Sequence, residues 1–243
     1  MKAVILCAGY ATRLYPLTLD KPKALLPVSQ RPIIDFIIDK MEKLPEVDEI
    51  YVVSNGKFYS HFKNWLDGRK ISNKKIKILN DETYNNETRL GGLGDLQFAI
   101  KKEKINDDLL VVCGDNLFDS NLDVMVRIYE KFKKPVVATY DLKDFNEAKK
   151  MGIVIEKNGE IIGFEEKPKE PKGTLCSSGI YLFPKELIEE IEKYMKSEKP
   201  KDGPGYFVIH LLSFSKVCSF EIKGKWYDIG SLETYEKVRN LNI

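Results

Sequence analysis

Val4-Ile5-Leu6-Cys7 runs directly into Ala8-Gly9-Tyr10-Ala11-Thr12-Arg13-Leu14, with Pro16 close behind and Lys21-Pro22-Lys23-Ala24-Leu25-Leu26-Pro27 following. An apolar run ended by small residues reads as a buried strand feeding a loop. Small side chains at 8, 9 and 11 let backbone N–H groups approach an anion closely. Arg13 adds a bidentate fork and Lys23 a point charge for the same phosphate chain. The loop reads as a triphosphate clamp on the end of a strand.

Outward from that clamp, apolar periodicity alternates between two kinds of element. Ile33, Ile34, Ile37, Ile38, Met41 and Leu44 fall at helical spacing, and Pro32 suits a first turn, so a core-facing helix is predicted over 32–44. Strands follow at 50–53, 76–79, 109–113 and 135–139, with helices at 59–66, 93–101 and 122–132 between them. Repeated strand–helix units imply a mainly parallel sheet with helices on both faces. From about residue 141 the pattern becomes more antiparallel. Segments 152–156 and 160–165 flank Asn158-Gly159, the strongest short signal for a two-residue hairpin turn. A strand at 175–183, helices at 184–195 and 206–214, a strand at 217–222 and a helix from Leu232 complete the chain. Lys196–Gly205, rich in Pro, Gly and Lys, reads as a mobile loop.

The chain has 243 residues, 43% of them hydrophobic, enough for one large α/β domain with a sizeable core. With 39 basic against 37 acidic residues the net charge is +2, which sets up no long-range field for nucleic acid. Cys7, Cys113, Cys176 and Cys218 are far apart and lack Cys-x-x-Cys spacing, so they are expected to be reduced core residues rather than metal ligands. No apolar segment approaches the ~20 residues that span a bilayer, and the first residues enter a strand directly. A soluble, cytoplasmic protein without membrane or nucleic-acid partners is expected.

In an open parallel sheet, ligands sit beyond the carboxyl ends of the strands, so polar residues just after apolar runs carry the chemistry. Gly114-Asp115-Asn116 follows one such run and places a carboxylate at a strand tip. A triphosphate needs Mg²⁺, which takes one or two carboxylates along with phosphate oxygens, and Asp115 suits that role. Trp226-Tyr227-Asp228-Ile229-Gly230 sets a second carboxylate just ahead of a helix, where Asp228 is a candidate cap. Ser231 is the better cap, which leaves Asp228 free. Gly163-Phe164-Glu165-Glu166-Lys167-Pro168 puts a Glu-Lys pair directly before a proline, which by itself reads as an ordinary solvated loop. His61 and His210, on helices among apolar residues, read as packing groups.

These segments together resemble the sugar-nucleotide pyrophosphorylases, the nucleotidyltransferases that join a nucleoside triphosphate to a sugar 1-phosphate. The family's small-residue loop ending Gly-Thr-Arg-Leu, then Pro-Leu-Thr and Pro-Lys-x-Leu-Leu-Pro-Val, is matched by Ala11-Thr12-Arg13-Leu14, Pro16-Leu17-Thr18 and Pro22-Lys23-Ala24-Leu25-Leu26-Pro27-Val28. Ala11 replaces the usual glycine, which suits a close phosphate approach unless the position requires positive φ. The resemblance implies a Rossmann-like α/β catalytic domain over 1–243, with a nucleotide part of about 1–140 and a sugar-phosphate part of about 141–230. It implies that Arg13, Lys23 and Lys167 are catalytic and that Asp115 and Asp228 share Mg²⁺. Ala8, Gly9, Tyr10, Ala11 and Thr12 would cradle the nucleotide, with Asn80, Glu82, Gly91 and Gly92 at the base. Asn116, Gly152, Glu166, Ser178 and Gly179 would line the sugar. Short members self-associate, so a homo-oligomer is also implied.

Asn85-Asn86-Glu87-Thr88-Arg89 lengthens the base region beyond the commonest pattern. The loop Lys199-Pro200-Lys201-Asp202-Gly203-Pro204-Gly205 lacks the arginine of the thymidylyltransferases, and Lys201 stands in for it. The first expectation for substrates is glucose 1-phosphate with dTTP or UTP. Rivals are a phosphocholine-type cytidylyltransferase, disfavoured by Glu166-Lys167 and the glycines at 152 and 179, and a non-catalytic regulatory relative. Against the latter stand Arg13, Lys23, Asp115 and Asp228 together. A dinucleotide oxidoreductase would need Gly-x-Gly-x-x-Gly, which the first loop lacks.

Overall fold

Short runs rich in Val, Ile and Leu become strands, and the amphipathic stretches between them become helices. The computed structural model describes residues 1–69 and 72–241. The first part contains β1 (Lys2–Leu6), β2 (Pro27–Val28), β3 (Arg31–Pro32), α1 (Ile33–Glu42), β4 (Glu49–Ser54), α2 (Tyr59–Gly68), β5 (Lys75–Asn80), α3 (Gly92–Glu103), β6 (Leu109–Cys113), β7 (Asn116–Phe118), α4 (Asp123–Phe132) and β8 (Val136–Asp141). Then come α5 (Phe145–Ala148), β9 (Gly152–Lys157), β10 (Glu160–Glu166), β11 (Leu175–Phe183), α6 (Ile188–Met195), α7 (Pro204–Leu211), β12 (Val217–Glu221), β13 (Trp226–Asp228) and α8 (Leu232–Val238).

Nine strands form one sheet in the order β5-β4-β1-β6-β11-β8-β12-β10-β9. The run β5-β4-β1-β6 is parallel, as the strand–helix alternation requires. It stops at β6, because β11 inserts antiparallel between β6 and β8. The sheet thus interleaves strands from both parts of the sequence. Seven of the nine residues of β11 are buried and the other two half-buried, and a strand covered on both faces belongs in the middle of a sheet. Ala3 and Ile5 face one core with α1, α2 and α4, while Val4 faces the other with α3, α6 and α7. That is the two-residue alternation of a strand covered on both sides.

Local signals act as read at several points. Asn158 and Gly159 have φ of 54° and 78°, both positive as a type I′ hairpin turn demands, and β9 and β10 pair antiparallel around them. Ser231 caps α8 by accepting from the Thr234 N–H at 3.2 Å. Pro32 is the residue preceding α1 rather than within its first turn. The helix expected over 184–195 begins as a 3₁₀ turn, Lys185–Leu187, before α6. The short ribbons β2–β3 and β7–β13 lie below the length at which alternation can be read.

Candidate functional site

Because β1, β4, β5 and β6 are parallel, their carboxyl ends open onto the same edge of the sheet. Residues 7–14 leave that edge from β1. Among the described residues, the N–H groups of Gly9, Tyr10, Ala11, Thr12 and Arg13 make no hydrogen bond. A run of unpaired amide donors is an anion-binding surface. Its shape is held from behind, where the Thr18 hydroxyl donates to Ala11 O at 2.8 Å and Asn55 Nδ2 donates to Ala8 O at 2.8 Å. Thr18 belongs to the Pro16-Leu17-Thr18 segment, whereas Asn55, just after β4, lies outside every motif of the sequence. Ala11 has φ 48° and ψ 42°, so the alanine occupies the left-handed region after all. Arg13 is exposed and makes no ion pair among the described residues, which leaves its guanidinium available to a ligand.

Asp115 leaves the tip of β6, and Asp228 ends β13. The β7–β13 ribbon pairs Asn116 with Asp228, and the Ile229 N–H donates to Asp115 O at 3.0 Å, so the two aspartates become neighbours although distant in sequence. Lys23 Nζ donates to Asp115 Oδ2 at 2.6 Å. Burial pulls the Lys23 ammonium down, but Asp115 and Asp228 outweigh it and leave it above its ordinary value. The Asp228 carboxyl is pushed up to about 6 by burial and by Asp115, against the pull of Lys23, Arg13 and Lys167. Every cation and carboxylate marked as catalytic or metal-binding is therefore felt at one carboxyl group.

Two adjacent carboxylates with one ammonium carry surplus negative charge that a divalent cation would neutralise. Among the described residues no group of three or more His, Cys, Asp or Glu could hold a metal. The donor set fits Mg²⁺, which keeps waters and shares itself with phosphate oxygens, rather than a closed all-protein site.

Glu166 ends β10 opposite Gly152. A Cβ at position 152 would come within 2.6 Å of the Phe164 ring and 2.9 Å of Glu166 Oε2, so close packing requires glycine there. Burial raises the Glu166 carboxyl, Lys167 opposes this and Asp202 adds to it. Lys167 has φ 47°, its N–H donates to Met151 O at 3.0 Å, and its side chain is exposed.

Other marked residues are spent on the protein itself. Asn116 is 2% exposed; its Nδ2 donates to Cys113 O at 3.1 Å and its Oδ1 accepts from Trp226 Nε1 at 2.7 Å. Ser178 is buried and donates to Ala138 O at 2.9 Å. Gly179 has φ 75°, and a Cβ there would lie 2.8 Å from Asn116 Nδ2. Of the three, Asn116 also touches the acidic pair, its Nδ2 lying 3.3 Å from Asp115 Oδ1.

At the far end, Asn80 Oδ1 accepts from the N–H of Glu82, whose φ is 64°. Gly91 has φ 78°, and the Gly92 N–H donates to Asp202 O at 2.7 Å. Lys196–Gly205, expected to be mobile, is tied along its length. Tyr194 Oη donates to Pro200 O at 2.9 Å, Lys199 Nζ lies 2.9 Å from His210 Nδ1, and Arg89 Nη2 donates to Asp202 Oδ1 at 3.1 Å. His210 is thus a polar link as well as a packing group, its Nε2 lying 2.8 Å from Glu190. Cys7 and Cys176 are free and buried, in line with a core role, whereas Cys113 and Cys218 are free but only half-buried. Among the described residues no helix is long and apolar enough to cross a membrane.

Residues 2–242 match the sequence family described as Nucleotidyl transferase. The chain is 33% identical over 234 residues to the bifunctional protein GlmU of Methanocaldococcus jannaschii, covering 95% of this chain and 51% of that one. It is 30% identical over 186 residues to the UTP–glucose-1-phosphate uridylyltransferase AglF of Haloferax volcanii, covering 75% of this chain and 72% of that one. The chain spans about half the length of the GlmU relative. The structure of a UDP-glucose pyrophosphorylase with UDP-glucose superposes with TM-score 0.78 at 21% identity, covering 98% of this chain and 96% of that one, a likeness of fold.

Proposed function

The chain belongs to the nucleotidyl transferase family, and from that premise we propose that it transfers a nucleoside monophosphate from a nucleoside triphosphate to a sugar 1-phosphate, releasing pyrophosphate. The observation that carries this reading is the ribbon register that sets Asp228 beside Asp115, with Lys23 Nζ 2.6 Å from Asp115 Oδ2, next to a loop of unpaired amide donors. Two anions must be brought together, and cations near the carboxylate pair offset their mutual repulsion.

In this reading the amides of residues 9–13 and the Arg13 guanidinium hold the β- and γ-phosphates and the charge that develops on the departing pyrophosphate. Lys23, fixed by Asp115, points its ammonium at the α-phosphate. Lys167 holds the sugar phosphate, and Glu166 accepts from the sugar hydroxyls. Gly91 and Gly92 bring backbone close to the base, and Asn80 and Glu82 stand at its edge. A phosphate oxygen of the sugar 1-phosphate attacks the α-phosphorus as the bond to the pyrophosphate oxygen breaks. The nucleophile is already ionised at neutral pH, so no protein base has to remove a proton. Asp115 and Asp228 would hold Mg²⁺, which supplies charge neutralisation on the phosphate oxygens when bound. Asn116 positions Asp115, its Nδ2 lying 3.3 Å from Asp115 Oδ1.

Glucose 1-phosphate with dTTP or UTP is the first substrate pair to try; the name of the AglF relative supports the uridine form. The route of attack is tested with glucose 1-phosphate carrying oxygen-18 in its non-bridging phosphate oxygens. The expected product carries the label in the oxygen bridging the two phosphorus atoms and releases unlabelled pyrophosphate. Label in the pyrophosphate, or an unlabelled bridge, would overturn this mechanism.

A further inference from the structure

Two buried carboxyls stand at the nucleobase end where the proposed chemistry calls for none. Asp81, just after β5, is 7% exposed, and Asp95, in the first turn of α3, is 5% exposed. The two carboxyls lie within hydrogen-bonding reach of each other. Such a bond requires a proton on one partner, since two carboxylates only accept.

The surroundings say which partner carries it. Asp81 is served as an anion: its Oδ1 accepts from the Thr83 N–H at 2.7 Å and its carboxylate faces the Thr83 hydroxyl at 2.9 and 3.1 Å. Asp95 receives no donor, and its Oδ1 is buried without a partner. The groups around the pair are neutral or acidic. Tyr10, on the loop after β1, has its Oη 3.1 Å from Thr83 Oγ1, Cys7 lies on the same loop, Glu82 adjoins Asp81, and Glu87 acts on Tyr10. Among the described residues no lysine or arginine is paired with either carboxyl. The start of α3 favours an anion only weakly, whereas burial and then Asp81 push Asp95 up to about 8.

We propose that Asp95 is a carboxylic acid at neutral pH whose proton bonds Asp81, making it a positioning residue that locks the start of α3 onto the end of β5 and so fixes the nucleobase end of the site. Its effect on binding rests on the nucleotide reading above; the proton itself does not. The bond joins two backbone networks that shape the same edge. On one side the Asp95 N–H donates to Gly91 O at 2.8 Å and the Gly92 N–H to Asp202 O. On the other the Asp81 N–H donates to Ser54 O at 2.9 Å and the Gly56 N–H to Thr83 O at 2.7 Å. An ionised Asp95 would break the link and add repulsion toward an anionic ligand, so nucleotide binding and retention of the proton favour each other.

The test compares wild type with Asp95→Asn and Asp95→Ala. In thermal unfolding from about pH 5 to about pH 9, the native wild type keeps a proton that the unfolded chain has released, so its stability falls as pH rises. Asp95→Asn, whose amide donates to Asp81 without titrating, loses that slope; equal slopes in wild type and Asp95→Asn would overturn the protonated acid. For the nucleotide, Asp95→Ala raises KM about tenfold with kcat little changed, and Asp95→Asn recovers most of that loss. Equal KM values in the Ala and Asn variants would overturn the positioning role. A wild type that turns over no nucleotide would refute the functional reading, and the unfolding comparison would still decide the proton.

Discussion

Single residues carry the sharpest consequences. Ala11 sits at φ 48°, where an L side chain costs about 1–2 kcal/mol, while glycine pays roughly 0.5–1 kcal/mol of unfolded-chain entropy. Ala11 also packs against the cluster of Leu14, Leu26 and Ile229, so part of the gain from glycine is lost with its methyl. Ala11→Gly is expected to stabilise by less than about 1 kcal/mol, read as a higher midpoint in urea at unchanged slope. Gly179→Ala goes the other way: φ 75° and a contact of 2.8 Å to Asn116 Nδ2 predict a loss of about 2–4 kcal/mol in the same measurement. Asp115→Asn leaves a neutral partner for Lys23 and halves the charge of the carboxylate pair. It is expected to lower kcat by at least about a hundredfold while the fold survives; unchanged turnover would remove Asp115 from the chemistry.

At the scale of elements, the β7–β13 ribbon decides the site, because only its register sets Asp228 beside Asp115. Trp226 fastens the ribbon to its support: Nε1 donates to Asn116 Oδ1 at 2.7 Å and approaches Ser178 O at 3.3 Å. Trp226→Phe keeps an aromatic ring but leaves Asn116 short of a donor in a buried place. The expected cost is about 1–3 kcal/mol in unfolding, with a fall in kcat larger than any rise in KM. A ribbon of three-residue strands has no periodicity to read, so the sequence could name Asp115 and Asp228 as strand-end carboxylates but not show how they meet. The Asn158-Gly159 hairpin and the cap at Ser231 were legible because each depends on two or three adjacent residues. Asp81 and Asp95 were passed over for the opposite reason. Asp95 lies among Leu93 and Leu96 on an otherwise apolar face, and an acid in that register is the one signal the sequence offers for it.

For the whole molecule, the alternation of strands and helices made the parallel half legible from the order of apolar runs alone. The insertion of β11 between β6 and β8 was not, since pairing between distant segments depends on burial of both faces rather than on local pattern. The clamp after β1 could be read because its chemistry is local, whereas the restraint of Lys196–Gly205 arises from Tyr194, His210, Gly92 and Arg89, distributed across α3, α6, α7 and the loop before α3. A carboxylate pair without a third acidic ligand predicts a global response to ligands. Mg²⁺ alone should shift thermal unfolding little, while Mg²⁺ with the cognate triphosphate at 100 times Kd should stabilise by about 2.7 kcal/mol. Calorimetry showing full stabilisation by Mg²⁺ alone would contradict an ion shared with phosphate. The central claim is tested most directly by pyrophosphate release with Mg²⁺ across the common nucleoside triphosphates, each paired with several sugar 1-phosphates and with phosphocholine. Release that requires one triphosphate together with one sugar 1-phosphate is predicted; release with phosphocholine alone, or from no pair while the triphosphate still binds, would contradict it.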